Sequence, residues 1–137
     1  MNISARCEYA CRAVVELAGH EHEHGPRTAT AIAEARNIPE KYLVHILLQL
    51  KRANVVRSVR GAQGGYLLAR APDAITLYDV VSAVDGPVLD PLPVSDNPDK
   101  ALAATWGTVA AGIEATLKEI TIRSILNGSK PVDMYYI

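Results

Sequence analysis

At 137 residues, with 14 Lys/Arg against 15 Asp/Glu, the chain has the length of one domain, or one domain with an arm. No apolar run approaches the roughly 18–20 residues that span a bilayer, the opening MNISARCEYACR carries charges where a secretory leader is apolar, and two cysteines make no disulfide framework, so a cytoplasmic protein without a membrane partner is expected. The near-neutral total hides a split: residues 1–70 carry 10 basic and 6 acidic side chains, residues 71–137 carry 4 and 9, and residues 41–70 hold 6 basic and no acidic ones, a footprint suited to a polyanion.

Residues 4–20 read as a helix, with Tyr9, Ala10, Ala13, Val14 and Leu17 recurring at 3–4 residue spacing on one face. HEHEHGP interrupts the pattern, and Gly25 and Pro26 end it. Thr28 is placed to cap a short helix over 29–36 whose Ala29, Ile32 and Ala33 face inward, although Ala31 stands where a capping-box acid is usual. Asn37 and Ile38 form a tight turn, and Pro39 suits the first position of the next helix. In that third helix Leu43, Ile46, Leu47 and Leu50 make the core stripe, while Lys41, His45, Gln49 and Arg52 share the opposite face. Three helices in this order, the last two joined by a short turn, form a helix-turn-helix unit.

A hairpin is expected next: strand 55–60, the tip Gly61-Ala62-Gln63-Gly64-Gly65, and strand 66–70, with basic side chains on both arms. After Pro72, ITLYDVVSAVDG reads as a helix capped near Thr76, and residues 86–98, with four of the eight prolines, as an irregular connector. From Asp99 to about Thr121 runs the longest periodic segment, in which Leu102, Trp106, Val109, Ile113, Leu117 and Ile120 form a stripe that the neighbouring alanines widen. An apolar face too wide for one small domain predicts pairing with a second copy, so these six residues are the expected dimer interface. The fold expected is mainly α: a winged helix-turn-helix over 1–84 with a small two-stranded wing, a proline-rich connector over 85–98, and a long C-terminal dimerisation helix with a tail over 99–137.

A polar-faced helix followed by a basic hairpin is the arrangement by which a winged helix-turn-helix reads duplex DNA. The opening ISARCEYACRAVVELA, the block IAEARNIPEKYLVHILLQLKRANVVRSVRGAQGGYLLAR, the segment PDAITLYDVVSAVDGP, Trp106 early in the last helix, and the ITIRSIL ending together resemble the Rrf2 family of bacterial transcriptional regulators. The resemblance implies a homodimeric winged-helix repressor or activator on an imperfect palindrome of double-stranded DNA. Many members carry three cysteines in the connector that hold an iron–sulfur cluster. The matching stretch here, GPVLDPLPVSDNPDKALAATW, has none, and Asp90, Asp96 and Asp99 are hard oxygen donors that do not replace thiolates, so no cofactor is expected. Glu8 lies where some members place a carboxylate cluster ligand, a role it loses with the cysteines.

On this reading the N-terminal turn of the third helix enters the major groove, bringing Glu40, Lys41, Tyr42, Val44 and His45 to base edges, with Tyr42 alternatively packing the turn. Pro39 stands where a serine cap would offer phosphate a hydroxyl. Arg60 at the wing's turn suits a narrow minor groove, and Arg57 and Gln63, with the Gly61, Gly64 and Gly65 amides, suit phosphate or sugar. Ser4, Arg6, Thr28 and Thr30 begin helices one and two and suit phosphate.

Cys7 and Cys11, one helical turn apart, are either a thiol or soft-metal pair or small apolar members of a stripe with Val14 and Ala18 packing near the dimer helix. His20, His22 and His24 are either a metal loop or a hydrophilic one, and no metal site is expected. No catalytic constellation is visible, so an enzyme is not expected. The function read is a sequence-specific DNA-binding repressor without a cluster. The alternative is a winged-helix interaction module regulated through a docked protein or a small-molecule effector.

Overall fold

The computed structural model describes residues 2–20, 25–89 and 99–128. The proline-rich connector from Asp90 to Pro98, the histidines His22 and His24, and the tail from residue 129 onward lie outside the described residues. Three helices open the fold: α1 (Ala5–Gly19), α2 (Ala29–Arg36) and α3 (Glu40–Arg52). A two-stranded antiparallel hairpin follows, β1 (Val56–Val59) and β2 (Gly65–Leu68), then α4 (Leu77–Asp85), α5 (Lys100–Glu119) and α6 (Ile122–Gly128). None of these helices is long and apolar enough to cross a membrane.

Local chemistry sets the boundaries. Ser4 and Thr28 cap α1 and α2 by accepting the amide N–H of Cys7 and Ala31. Asn37 ends α2 at φ 54°, a left-handed conformation that asparagine tolerates, and the chain turns there into α3. Pro39 is the cap of α3 rather than its first helical residue: its ψ of 122° is extended, and its carbonyl accepts the Tyr42 and Leu43 amides. Thr76 and Asp79 close a reciprocal capping box at α4, Thr76 Oγ1 accepting the Asp79 amide and Asp79 Oδ2 accepting the Thr76 amide.

One core joins these elements. Val14, Ile32, Leu43, Ile46, Leu47, Leu50, Val55, Val56, Ile75, Val80 and Ile122 are all essentially sealed from solvent. Burial of each such side chain contributes about 1.5–3 kcal/mol. α1 runs through the middle, packed by α2, α3, α4 and α6. Cys7, Val14 and Ala18 belong to this core with Cys11 half-buried against it, so the cysteine stripe is core filling on α1 and not part of the α5 surface.

The long helix is shorter than its pattern. It stops at Glu119, where Ile120 turns extended, and Thr121 and Ser124 exchange amide–hydroxyl bonds to start α6. α6 folds back so that Ile122 enters the core and its amide donates to the Ile75 carbonyl. None of the α5 side chains is buried.

Candidate nucleic-acid interface

The exposed side of α3 is the centre of the site. Its buried stripe faces the core as expected, which turns Lys41, Tyr42, Val44, His45 and Arg52 outward. Glu40 sits in the first turn, where a carboxylate complements the helix dipole, and it accepts a 2.8 Å hydrogen bond from the Thr30 hydroxyl. Thr30 and Glu40 therefore form one unit spanning the start of α2 and the start of α3, and neither is idle.

Beside them a cleft of about 400 Å³ is lined by Ala5, Arg6, Tyr9, Tyr42 and His45, which brings the Arg6 end of α1 next to the exposed face of α3. Tyr42 stacks on Tyr9 at 6.5 Å between ring centroids and 16° between planes. Lys41 lies 5.3 Å from the Tyr42 ring and Arg12 5.5 Å from the Tyr9 ring, so two cations flank a stacked pair. Tyr42 thus packs against α1 while remaining half exposed.

Ser4 departs from its expected phosphate role. Its oxygen caps Cys7, and its proton goes to Asp85, 2.9 and 3.0 Å from the two carboxylate oxygens. A hydroxyl whose oxygen serves the Cys7 amide and whose proton serves a carboxylate is an anchor between α1 and α4, and an adjacent acid disfavours phosphate. Thr28 uses its oxygen as the α2 cap and keeps its proton for a further acceptor.

The hairpin has the expected sense but tighter bounds, with Val56 opposite Leu68, Arg57 opposite Leu67, Ser58 opposite Tyr66 and Val59 opposite Gly65. Gly65 therefore belongs to the second strand and not to the tip. Arg57, Arg60, Gly61 and Gln63 are exposed, and the acid-free stretch places no carboxylate among them. Arg70, the basic residue of the second arm, is instead occupied: it donates to the Asn54 and Ala74 carbonyls and lies 3.6 Å from Asp79. It braces the base of the wing.

A third chain segment flanks the wing. Arg27 donates its amide to the Tyr66 carbonyl at 3.0 Å and accepts the Tyr66 amide at 2.7 Å, an antiparallel bridge on the far side of β2. This contact accounts for Gly65, since a Cβ there would lie 2.4 Å from the Arg27 carbonyl oxygen. At Gly64 a Cβ would lie 2.3 Å from the Val59 carbonyl oxygen, so turn closure requires that glycine. Gly61, at φ 105° with open space beside it, is needed only for its backbone angle.

Arg27 is also held through its side chain. Glu16, only 5% exposed, accepts Arg27 Nη2 at 2.9 Å and Arg36 Nε at 2.8 Å on different oxygens, and His20 Nε2 lies 2.9 Å from the oxygen that Arg27 uses. Arg27 Nε is buried without a partner among the described residues, so the Glu16 carboxylate is what offsets the burial of that guanidinium. Neither Glu16 nor Arg27 stands out in the sequence as a site residue. The available signal was an acid inside the apolar run AVVELA, on the same helical face as Ala13 and Leu17.

A thiol–thiol hydrogen bond from Cys11 lowers the pKa of Cys7, and the same bond together with burial raises that of Cys11. Among the described residues no three His, Cys, Asp or Glu side chains gather closely enough to hold a metal ion. On α5, Leu102, Trp106 and Val109 are 50%, 46% and 41% exposed and Ile113 and Leu117 are half-buried, as is Ile120 just past its end.

Comparison with known proteins gives one consistent result. The family profile described as "Rrf2: Iron-dependent Transcriptional regulator" matches residues 3–128. The HTH-type transcriptional regulator CymR of Bacillus subtilis is 33% identical over 140 residues, covering all of both chains. IscR of Pectobacterium carotovorum is 30% identical over 139 residues, covering 98% of this chain and 84% of the relative. Among solved structures, that of B. subtilis CymR, described as its global cysteine regulator, superposes with a TM-score of 0.78 at 31% identity over 95% of this chain and 99% of the other. The structure of T. potens IscR also gives 0.78, at 31% identity over 100% and 94%.

Proposed function

The chain belongs to the Rrf2 family of transcriptional regulators, and from that premise we propose that it is a homodimeric, sequence-specific DNA-binding repressor that works in the cytoplasm without an iron–sulfur cluster. The observation that carries the DNA reading is the exposed, basic face of α3 continued by Arg57 and Arg60 of the wing, with no acidic side chain between residues 41 and 70. In this reading Lys41, Tyr42, Val44 and His45 meet base edges and Glu40 meets them while held by Thr30. Arg60 enters the minor groove, and Arg6, Thr28, Arg57, Gln63 and the Gly61 and Gly64 amides take phosphate or sugar. Ser4 contributes by fixing the start of α1 on α4.

Support for a dimer comes from α5, where Leu102, Trp106 and Val109 stand exposed on one stripe while Ile113 and Leu117 further along are only half-buried against α4. Two copies related by a twofold axis would present two recognition helices to half-sites about one helical turn apart, which fits a palindromic operator.

The family profile's wording raises the question of iron. The donor set does not fit a cluster. The chain has two cysteines, both on α1, and Cys7 is sealed in the core. No step of the proposed action passes through a metal.

The test is selection of duplexes from a random pool by the purified protein, followed by footprinting. A single enriched, twofold-related sequence is expected, whose affinity falls with salt at a log–log slope near −7 if about eight phosphates are neutralised. Arg60→Ala should cost about 1–3 kcal/mol per half-site. Binding with no preferred sequence would overturn the reading and leave an interaction module in its place.

A further inference from the structure

We infer that Glu16 is a positioning residue for the wing: through Arg27 it fixes where the hairpin stands against the helix-turn-helix unit, and so how well Arg60 serves DNA. This rests on the DNA-binding reading proposed above. A buried carboxylate is costly unless it is paired, and a hydrocarbon side chain would fill the same place on α1 more cheaply. What the carboxylate adds is direction. Its two oxygens hold two different segments: Oε2 takes Arg27 at the edge of the wing, and Oε1 takes Arg36 in the last turn of α2.

The α2 end is fixed to α1 a second time, because Arg12 Nη1 donates to the Arg36 carbonyl at 3.3 Å and also reaches the Asn37 carbonyl at 3.5 Å. The wing's free edge, by contrast, has one lateral partner among the described residues, the Arg27 backbone. Tyr66, which exchanges both of its backbone groups with Arg27, lies opposite Ser58, next to Arg57 on β1. The path from carboxylate to DNA-facing arginine thus runs Glu16, Arg27, Tyr66 and then, because Tyr66 spends both backbone groups on Arg27, through its chain neighbours Gly65 and Leu67, which stand opposite Val59 and Arg57 of β1. Gly65 lets the Arg27 carbonyl approach to a distance no side chain would permit, so the anchor fits closely and a displaced Arg27 would drag β2 with it.

The test is a double-mutant cycle on the duplex that the wild-type protein enriches from a random pool. Glu16→Gln keeps the shape and removes the charge. It should weaken binding about tenfold in the wild-type background and by threefold or less in an Arg60→Ala background. A purely structural role would lower the melting temperature but leave the two effects multiplying independently, and that result, or wild-type affinity for Glu16→Gln, would overturn the inference. If Glu16→Gln does not fold, Arg27→Gln, which keeps the backbone pair with Tyr66, should show the same non-additivity.

A measurement without DNA separates this idea from the one it rests on. Amide hydrogen exchange at Arg27 and Tyr66 should accelerate in Arg27→Gln, with Leu47 in the core of α3 unchanged. Unaltered exchange at Arg27 and Tyr66 overturns the link. Failure of the wild type to enrich any duplex overturns the DNA reading alone, and the exchange result then decides whether Glu16 positions the wing.

Discussion

The hydroxyl of Ser4 is shared between two helices: it accepts the Cys7 amide at 3.0 Å at the start of α1 and donates to Asp85 at the end of α4. The contact caps α1 and ties its start to the end of α4, so its value is structural. Ser4→Ala should cost about 1 kcal/mol of stability, the usual value of a helix cap, while affinity for the selected duplex stays the same. Urea unfolding and a binding isotherm read the two quantities separately. Lost affinity at wild-type stability would return Ser4 to the DNA face.

Two glycines of the wing should respond differently to the same substitution. Gly65→Ala drives a methyl group against the Arg27 carbonyl at a backbone angle alanine avoids, and a loss of about 2–3 kcal/mol is expected. Gly61→Ala meets open space and carries only the strain of its positive φ, about 1 kcal/mol. Chemical denaturation of the two variants side by side checks the order.

Trp106 and Leu102 stand half exposed on one side of α5. Trp106→Glu places a charge in the proposed interface, where an unpaired acid costs several kcal/mol. Sedimentation velocity should show the wild type as a dimer and this variant as a monomer. A wild type that sediments as a single subunit would remove α5 from the assembly.

Protein purified without oxygen from iron-supplemented cells should show no visible absorption band attributable to a cluster. Its affinity for the selected duplex should be unaltered by an iron chelator, because only Cys7 and Cys11 are available as thiolates. A band in the 400 nm region would contradict this.

Most of the helical frame was legible because it is written in a repeated spacing. Leu43, Ile46, Leu47 and Leu50 announce the inner side of α3, and the cap residues Thr28 and Thr76 mark where helices begin. α6 escaped notice because seven residues give too little period to read, and its start depends on a local Thr121–Ser124 exchange. The bridge at Arg27 has no pattern at all, since one residue cannot alternate. Glu16 was invisible for another reason: an acid in a helix reads as a solvated one until Arg27 and Arg36, distant in sequence, are seen to converge on it. The outward-facing set on α3 could be named from sequence, whereas the engagement of Ser4 and Arg70 in internal bonds required the geometry.

If the proposed dimer forms through the exposed Leu102, Trp106 and Val109 of α5, abundance becomes a regulatory variable. In a dilute cell the subunits would drift apart and the operator would empty, and a modest rise in synthesis would refill it more than proportionally, because two subunits must meet before either grips the duplex tightly. A gene placed under such a protein would answer to its supply as a threshold and not as a slope.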